Sequence, residues 1–334
     1  MQKVVLVTGG AGYIGSQCCK TLVKNGFLPI CLDNLSNGYK ELVKWGPLIQ
    51  GDISDIKLLE EIIKQYHPIA VMHFAADALV NESVKDPAKY YKNNVTNSLT
   101  LFNTMRLHNV KNIVFSSSCA TYGNPIKVPI DEKHPQSPIN PYGNTKLVIE
   151  MMLKDFANAY NVKFALLRYF NAAGADSESE TGEAHKEETH LIPLLMRTAL
   201  KKQEYLNVYG SDFNTQDGSA VRDFIHVEDL AEAHLSALNF LLNNSDSITL
   251  NLGTGNGFSV LQIIKTFEKL FSQKLPIKMM PRRLGDPPVL IANAEAAKKI
   301  LKWTPKYSNI EHILKTAWQW HNNDLYERLI NGKV

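Results

Sequence analysis

No apolar stretch in this chain of 334 residues approaches the ~20 positions needed to cross a bilayer. Basic residues never cluster beyond adjacent pairs such as Lys201-Lys202 and Lys298-Lys299, and the formal net charge is only +3. Nucleic acid and membrane surfaces are therefore not expected as partners. Cysteine is scarce: Cys18, Cys19, Cys31 and Cys119 show neither C-x-x-C spacing nor the density of a secreted scaffold. Buried free thiols are expected. There is no H-E-x-x-H, and the histidines of "HKEETH" (185–190) have the wrong spacing for two ligands on one helical face, so no metal is expected. The N-terminus, "MQKVVLVTGG", enters a strand-like run without the pattern of a signal peptide, which suggests a cytoplasmic protein. Internal repeats and low-complexity tracts are absent as well.

What is present is an ordinary globular composition, 44% hydrophobic and 21% charged, in a chain long enough for one large core and a smaller second one. The runs "KVVLVTG", "LPICLDN", "LIQGDI", "AVMHFA", "NIVFSSS" and "KFALLRYFN" are strand candidates. Segments such as "KLLEEIIKQY" lie between them and space their apolar residues as a helix does. Apolar strands alternating with helices predict an α/β fold: a doubly wound parallel sheet, Rossmann-like, over residues 1–170. After Asn171, "AGADSESETGEAHKEETH" has no periodicity and reads as a long loop, either a binding segment or a solvated excursion. Beyond it, "HLIPLLMRTALKK" reads as a helix, "DFIHVEDLAEAHLSALNFLL" as a strand entering a helix, and "ITLNLGTG" as a strand.

In "VTGGAGYIGS", Gly9, Gly12 and Gly15 fall directly after the first strand and at the mouth of a helix. Glycines there allow a tight turn and let backbone N–H groups approach a pyrophosphate. Asp33 ends the second strand, 18 residues past Gly15. A carboxylate at that point accepts from ribose hydroxyls and repels a 2′-phosphate, which favours NAD over NADP. Asp52 and Ile53 suit the adenine, and Phe74, Ala75 and Ala76 end the fourth strand at the same edge. "PYGNTK" (141–146) predicts a helix capped by Asn140 and opened by Pro141, with Tyr142 and Lys146 one above the other. A phenol has a pKa of ~10, and a nearby ammonium and a positive nicotinamide would favour its phenolate. The serines 116–118 close the fifth strand nearby, so a cofactor, a serine cluster and a Tyr/Lys pair converge on one crevice.

These residues resemble the extended short-chain dehydrogenase/reductase superfamily and, within it, the UDP-glucose 4-epimerase family. The motifs "VTGGAGYIGS", "LDNLSNG", "GDI", "HFAA", "NESV", "YYKNNV", "FSSSCATYG", "PYGNTK", "LRYFNAAGA", "VRDFIHVEDLA", "NLGTG" and "RRLGDPP" fall in that family's order along nearly the whole chain. The resemblance implies an NAD-dependent enzyme that inverts C4 of a UDP-sugar, UDP-glucose/UDP-galactose before others, through a transient 4-keto intermediate. Tyr142 then resembles the base, Lys146 the residue that lowers its pKa and holds the nicotinamide ribose, and Ser118 the hydroxyl that orients the sugar oxygen. Further implied NAD contacts are Tyr13, Ile14, Asn34, Asn93, Ser116 and Tyr169. The implied substrate contacts are Asn171, His190, Leu191, Arg222, Arg283 and Asp286, with Tyr209 beside the uracil and Leu290 gating the sugar pocket.

The resemblance further implies a smaller C-terminal α/β substrate-binding domain, mainly 171–334, with a segment near 222–245 returning to the first. It also implies a homodimer built on the helices in "NVTNSLTLFNTMRLHN" and "NTKLVIEMMLKDFANAY". Two positions depart from the family pattern: Ala78 stands where several members have lysine, and Asn81 where glycine is usual. Preference for UDP-N-acetylhexosamine or a UDP-pentose is the alternative reading. A nucleotide-sugar 4,6-dehydratase is disfavoured because Ser118, Cys119 and Ala120 offer no carboxylate for the elimination. A non-catalytic NAD-sensing regulator is disfavoured because the Tyr/Lys pair is kept.

Overall fold

The first strand, β1 (Lys3–Thr8), is fully buried over its last four residues, as a central strand covered on both faces must be. The computed structural model describes residues 2–244, 246–283 and 285–332. After β1 come α1 (Tyr13–Lys24), β2 (Phe27–Asp33), β3 (Leu48–Gln50), α2 (Ile56–Tyr66) and β4 (Ala70–His73). Helices α3 (Val80–Lys85), α4 (Pro87–Tyr90) and α5 (Asn97–Leu107) lead to β5 (Asn112–Ser118), α6 (Pro141–Tyr160) and β6 (Lys163–Tyr169). A π-helical stretch, Tyr91–Thr96, joins α4 to α5.

The second half opens with β7 (Asn171–Ala173), α7 (Leu191–Ala199), β8 (Leu206–Tyr209), β9 (Val221–Arg222) and β10 (Phe224–His226). It continues through α8 (Val227–Asn243), β11 (Ile248–Leu252), β12 (Phe258–Ser259), α9 (Val260–Phe271) and β13 (Ile277–Met280). The chain ends in β14 (Val289–Leu290), α10 (Glu295–Leu301), α11 (Ile310–His321) and α12 (Asp324–Asn331).

Seven strands form one parallel sheet in the order β11-β6-β5-β4-β1-β2-β3. Alternate residues face opposite layers. Val5 and Val7 of β1 pack with Cys18, Cys19 and Leu22 of α1 and with Leu230, Leu238 and Leu241 of α8. Leu6 points the other way, into a core with Leu59 and Ile62 of α2, Phe102 and Met105 of α5, and Ile149 and Leu153 of α6. The fold is Rossmann-like. The chain returns to this sheet through α8 and β11, so the return runs past residue 245, whereas β10 pairs with β7 outside it.

The C-terminal part has its own core, where Leu195 and Met196 of α7 meet Val208 of β8, Ile263 and Phe267 of α9, and Ile313 and Leu314 of α11. Short pairings, β8 with β13 and β9 with β12 and β14, hold its edges. The order in which strands are added reverses at β1, whose neighbours are β2 and β4. Such a switch point opens a crevice at the carboxyl ends of the strands, which is where ligands of open α/β sheets bind.

Residues 174–190 contain no helix or strand, but the segment is not a solvated excursion. Asp176, Glu178 and Glu180 converge on the ammonium of Lys20 at 2.8, 2.5 and 2.6 Å. Lys20 is buried in α1, so this pairing ties the segment to the helix that follows the glycine turn.

Candidate active site

A cavity of about 540 Å³ occupies the crevice, within the usual size range of ligand sites. Its floor begins at the glycine turn. Gly9 has φ +74°, and a Cβ there would lie 2.6 Å from the Ala75 nitrogen. At Gly15 a Cβ would lie 2.2 Å from the Gly9 carbonyl oxygen. Helix α1 starts at Gly12 with no side-chain cap and no acidic residue in its first turn, so its leading N–H groups are left for an anion. Asp33 is 8% exposed, and its carboxylate accepts from the N–H groups of Ala11 (3.0 Å) and Leu35 (2.8 Å). Burial nonetheless pushes its pKa up, which leaves its free lone pairs in need of donors such as ribose hydroxyls. Every one of these features fits a dinucleotide.

Around this floor the cavity wall includes Tyr13, Ile14, Asn34, Asp52 and Ile53, then Phe74, Ala75, Ala76 and Asn93. Asn34 donates to Asp52 at 2.7 Å, and Asn93 donates to Asp77 at 3.0 Å. Tyr13 turns its hydroxyl away to the Gly174 carbonyl at 2.7 Å, bridging α1 to the segment after β7. Ala78 and Asn81 line the cavity as well.

Helix α6 supplies the Tyr/Lys pair. Asn140 caps it, accepting from the Gly143 N–H at 2.8 Å, and Pro141 is its first residue. Tyr142 (8% exposed) and Lys146 (4%) both reach the cavity, with the ammonium 5.8 Å from the phenol ring centroid. Lys146 donates to the Ser116 carbonyl at 2.9 Å, and Ser116 Oγ lies 2.7 Å from the Tyr169 hydroxyl. Ser118 stands at the end of β5, its Oγ accepting from the Ala120 N–H at 3.1 Å.

Burial biases both members of this pair toward their neutral forms. Burial pushes the Tyr142 pKa well up, with Tyr169 adding to the rise and Ser118 pulling the other way. Burial lowers Lys146 to about 7, against the charge of Glu150. Both side chains sit where charge is poorly solvated.

Asn171, His190, Arg222, Arg283, Asp286 and Leu290 line the same cavity. Arg222 is ion-paired with Asp286. Two expected contacts fall outside the lining. Leu191 packs against the core of the C-terminal part instead. The Tyr209 ring lies beneath the Arg283 guanidinium, 4.0 Å from centroid to carbon, so it supports a lining residue rather than being one.

Reading the sequence missed Asp77, which is 7% exposed and anchors Asn93. It also missed the buried pair of Glu150 and Arg168, linked at 2.5 Å behind Tyr142 and Lys146. A signal for that pair existed, since Arg168 is a charge inside the apolar run "KFALLRYFN" and demands a partner. The "HKEETH" segment lies in the expected long loop, ahead of α7. It is not helical before His190, so helical spacing does not govern where its histidines point.

A glycine-turn dinucleotide site facing a Tyr/Lys pair across a crevice defines a nicotinamide-dependent enzyme of the Rossmann class. The chain belongs to the NAD dependent epimerase/dehydratase family, whose model matches residues 5–253, ending just after β11. It is 47% identical to a UDP-glucose 4-epimerase of Rhizobium leguminosarum bv. trifolii over 96% of this chain and 97% of that protein. Among solved structures, the UDP-glucose 4-epimerase of Brucella ovis in complex with NAD superposes with TM-score 0.93 at 48% identity, covering 95% of this chain and 98% of that one. The UDP-Glc/GlcNAc 4-epimerase of Campylobacter jejuni superposes with TM-score 0.84 at 38% identity, covering 95% and 98%.

Proposed function

We propose that the protein inverts C4 of a UDP-hexose, interconverting UDP-glucose and UDP-galactose, with NAD retained through turnover. The observation that carries this reading is that Tyr142 and Lys146 share one cavity with the glycine turn and with Arg222, Arg283 and Asp286. The relatives named UDP-glucose 4-epimerase support the choice of sugar nucleotide.

In this reading Gly9, Gly12 and Gly15 cradle the pyrophosphate, Asp33 takes the adenosine ribose, and Asp52 and Ile53 border the adenine. Lys146 and Tyr169 flank the nicotinamide end, near Ser116 and Asn93. When bound, NAD supplies a hydride acceptor and a positive ring beside the phenol. Tyr142 Oη takes the proton of the sugar 4-hydroxyl and later returns it, while Ser118 orients the same oxygen. Proton movement is easier for the pair than for either member, since a phenolate favours an ammonium at Lys146 and the reverse. The arginines hold the diphosphate by their planar forks, so the 4-keto sugar can turn over without leaving.

Residues 1–170 with the later return then form the NAD-binding part, and 171–334 mainly the substrate-binding part. A homodimer fits the apolar residues left exposed on the α5 and α6 surfaces, including Leu99, Leu107 and Met151. The proposed setting is cytoplasmic galactose metabolism; no helix among the described residues is long and apolar enough to cross a membrane.

A second reading, with UDP-N-acetylhexosamines or UDP-pentoses accepted, is favoured by one observation. Leu290, rather than a bulkier side chain, lines the sugar end of the cavity. Incubation of the purified protein with UDP-galactose, UDP-N-acetylgalactosamine and UDP-arabinose tests both. The expected outcome is C4 inversion of UDP-galactose without added NAD and without released NADH. NADH accumulating in step with substrate loss would overturn the epimerase reading.

A further inference from the structure

Four potential ligands that sequence spacing kept apart meet beside the cavity: Glu183, His185, Glu188 and His190. One donor atom from each lies within 4.8 Å of the others. His190 Nδ1 is 2.6 Å from Glu183 Oε1 and 3.2 Å from Glu188 Oε1. His185 Nδ1 is 3.2 Å from Glu183 Oε1 and 3.5 Å from Glu188 Oε2. The two imidazole rings converge, with centroids 5.6 Å apart.

We propose that these four side chains form a tetrahedral site for a divalent transition metal of the zinc type. With metal–ligand distances of ~2.0–2.2 Å, neighbouring donors of a tetrahedron stand ~3.3 Å apart, which the separations above bracket. Two imidazoles with two carboxylates are a borderline N/O set suited to zinc, whereas calcium or magnesium would call for more oxygen ligands.

Two further observations point to a cation. His185 Nδ1 is buried and has no hydrogen-bond partner, although it aims into the cluster. Glu188 Oε1 already accepts from the N–H groups of Thr189 and His190, both at 2.8 Å, which holds the carboxylate still and leaves Oε2 toward His185. The segment is also packed against the C-terminal helices. The Glu183 carbonyl accepts from Trp320 Nε1 at 2.8 Å, and Ala184 packs with Trp320, Tyr326 and Leu329. Charge balances with neutral imidazoles, because one dication offsets two carboxylates. The alternative occupant is a pair of protons: both histidines then carry the charge, giving an ion-pair quartet that would still leave His185 Nδ1 poorly matched in direction.

The ion would cross-link the segment before α7 where it forms the cavity wall, at Glu183, His185 and His190. The site is distinct from the Asp176, Glu178 and Glu180 cluster, whose carboxylates all contact Lys20.

The test is zinc binding to the full chain after chelator treatment and dialysis, followed by isothermal titration calorimetry and thermal unfolding. Wild type should bind about one zinc ion and show a higher melting temperature with zinc than with chelator. His185→Gln and Glu188→Gln should each weaken zinc binding at least ~100-fold, beyond the range typical of supporting residues. His185→Cys, which keeps a zinc donor, should retain binding and guards against a variant that merely misfolds. Absence of binding in wild type would leave the ion-pair quartet as the whole account. Equal affinity in wild type and His185→Gln would mean that zinc binds elsewhere. No sugar turnover is measured, so either outcome is independent of the proposed activity.

Discussion

Glu150 on α6 grips Arg168 on β6 by two contacts, 2.8 Å from Nε to Oε1 and 2.5 Å from Nη2 to Oε2. Both side chains are almost wholly buried, and Ser117 and Gln136 complete the carboxylate's partners at 2.6 and 3.0 Å. The pair lies one helical turn beyond Lys146 and fixes the helix that carries it. Glu150→Ala would leave a buried guanidinium without its counter-ion and should cost about 3–5 kcal/mol in urea unfolding. A loss below about 1 kcal/mol would mean that water reaches Arg168.

The same pair sets an acid limit. Burial alone would raise the Glu150 pKa, but Arg168, Ser117 and Gln136 outweigh it and hold the carboxyl below its ordinary value. A depressed folded pKa contributes stability above the unfolded value of about 4.3, and that stability is lost as pH falls through the folded value. The difference in unfolding free energy between wild type and Glu150→Gln should thus be full at neutral pH and shrink below about pH 4. A difference that grows on acidification would contradict the depressed value.

Tyr142→Phe removes one oxygen from a site whose backbone is held by the Asn140 cap and by the packing of α6. The fold should persist while kcat falls by ~10²-fold to 10⁴-fold, the range for a lost acid/base group. Near-normal kcat would show that another group moves the proton.

Arg283 and Tyr209 offer a test of indirect action. Arg283→Ala should raise KM for the UDP-sugar by at least ~10-fold, as the loss of a charged hydrogen bond does. Tyr209→Leu should raise KM less and add nothing in the Arg283→Ala background, because the ring lies under the guanidinium and outside the cavity lining. Additive effects in the double mutant would place Tyr209 in direct contact with the uracil.

Leu290 lines the cavity, and on the proposed reading Leu290→Tyr fills space beside the sugar while the two arginines limit any shift of the substrate. The ratio of kcat/KM for UDP-galactose to that for UDP-N-acetylgalactosamine should rise. An unchanged ratio would mean that Leu290 does not meet the sugar.

Much of the sheet was legible because buried parallel strands are apolar throughout, and β1, β2, β4, β5 and β6 each show such a run. The start of α6 was legible for a local reason too, since a cap and a proline act within one turn. Tyr209 and Leu191 were harder. Their positions follow from how α7 and β8 pack in the C-terminal core, and a motif carries no such information. Burial was also invisible: the pattern four residues apart brought Lys146 toward Tyr142, but its desolvation to about 7 depends on strands far away in the chain.

The sequence by itself determined the short-range elements: the glycine turn, the Asn140 cap, the Tyr142–Lys146 spacing and the alternation that makes a doubly wound sheet. Each depends on bond geometry and side-chain periodicity over a few residues. Only the tertiary structure decided which charges meet. Lys20 gathers three carboxylates from more than 150 positions away, Arg168 finds Glu150, and Glu183, His185, Glu188 and His190 close around one point. Those encounters depend on loop closure and burial, where a charge must be paired wherever the folded chain leaves it.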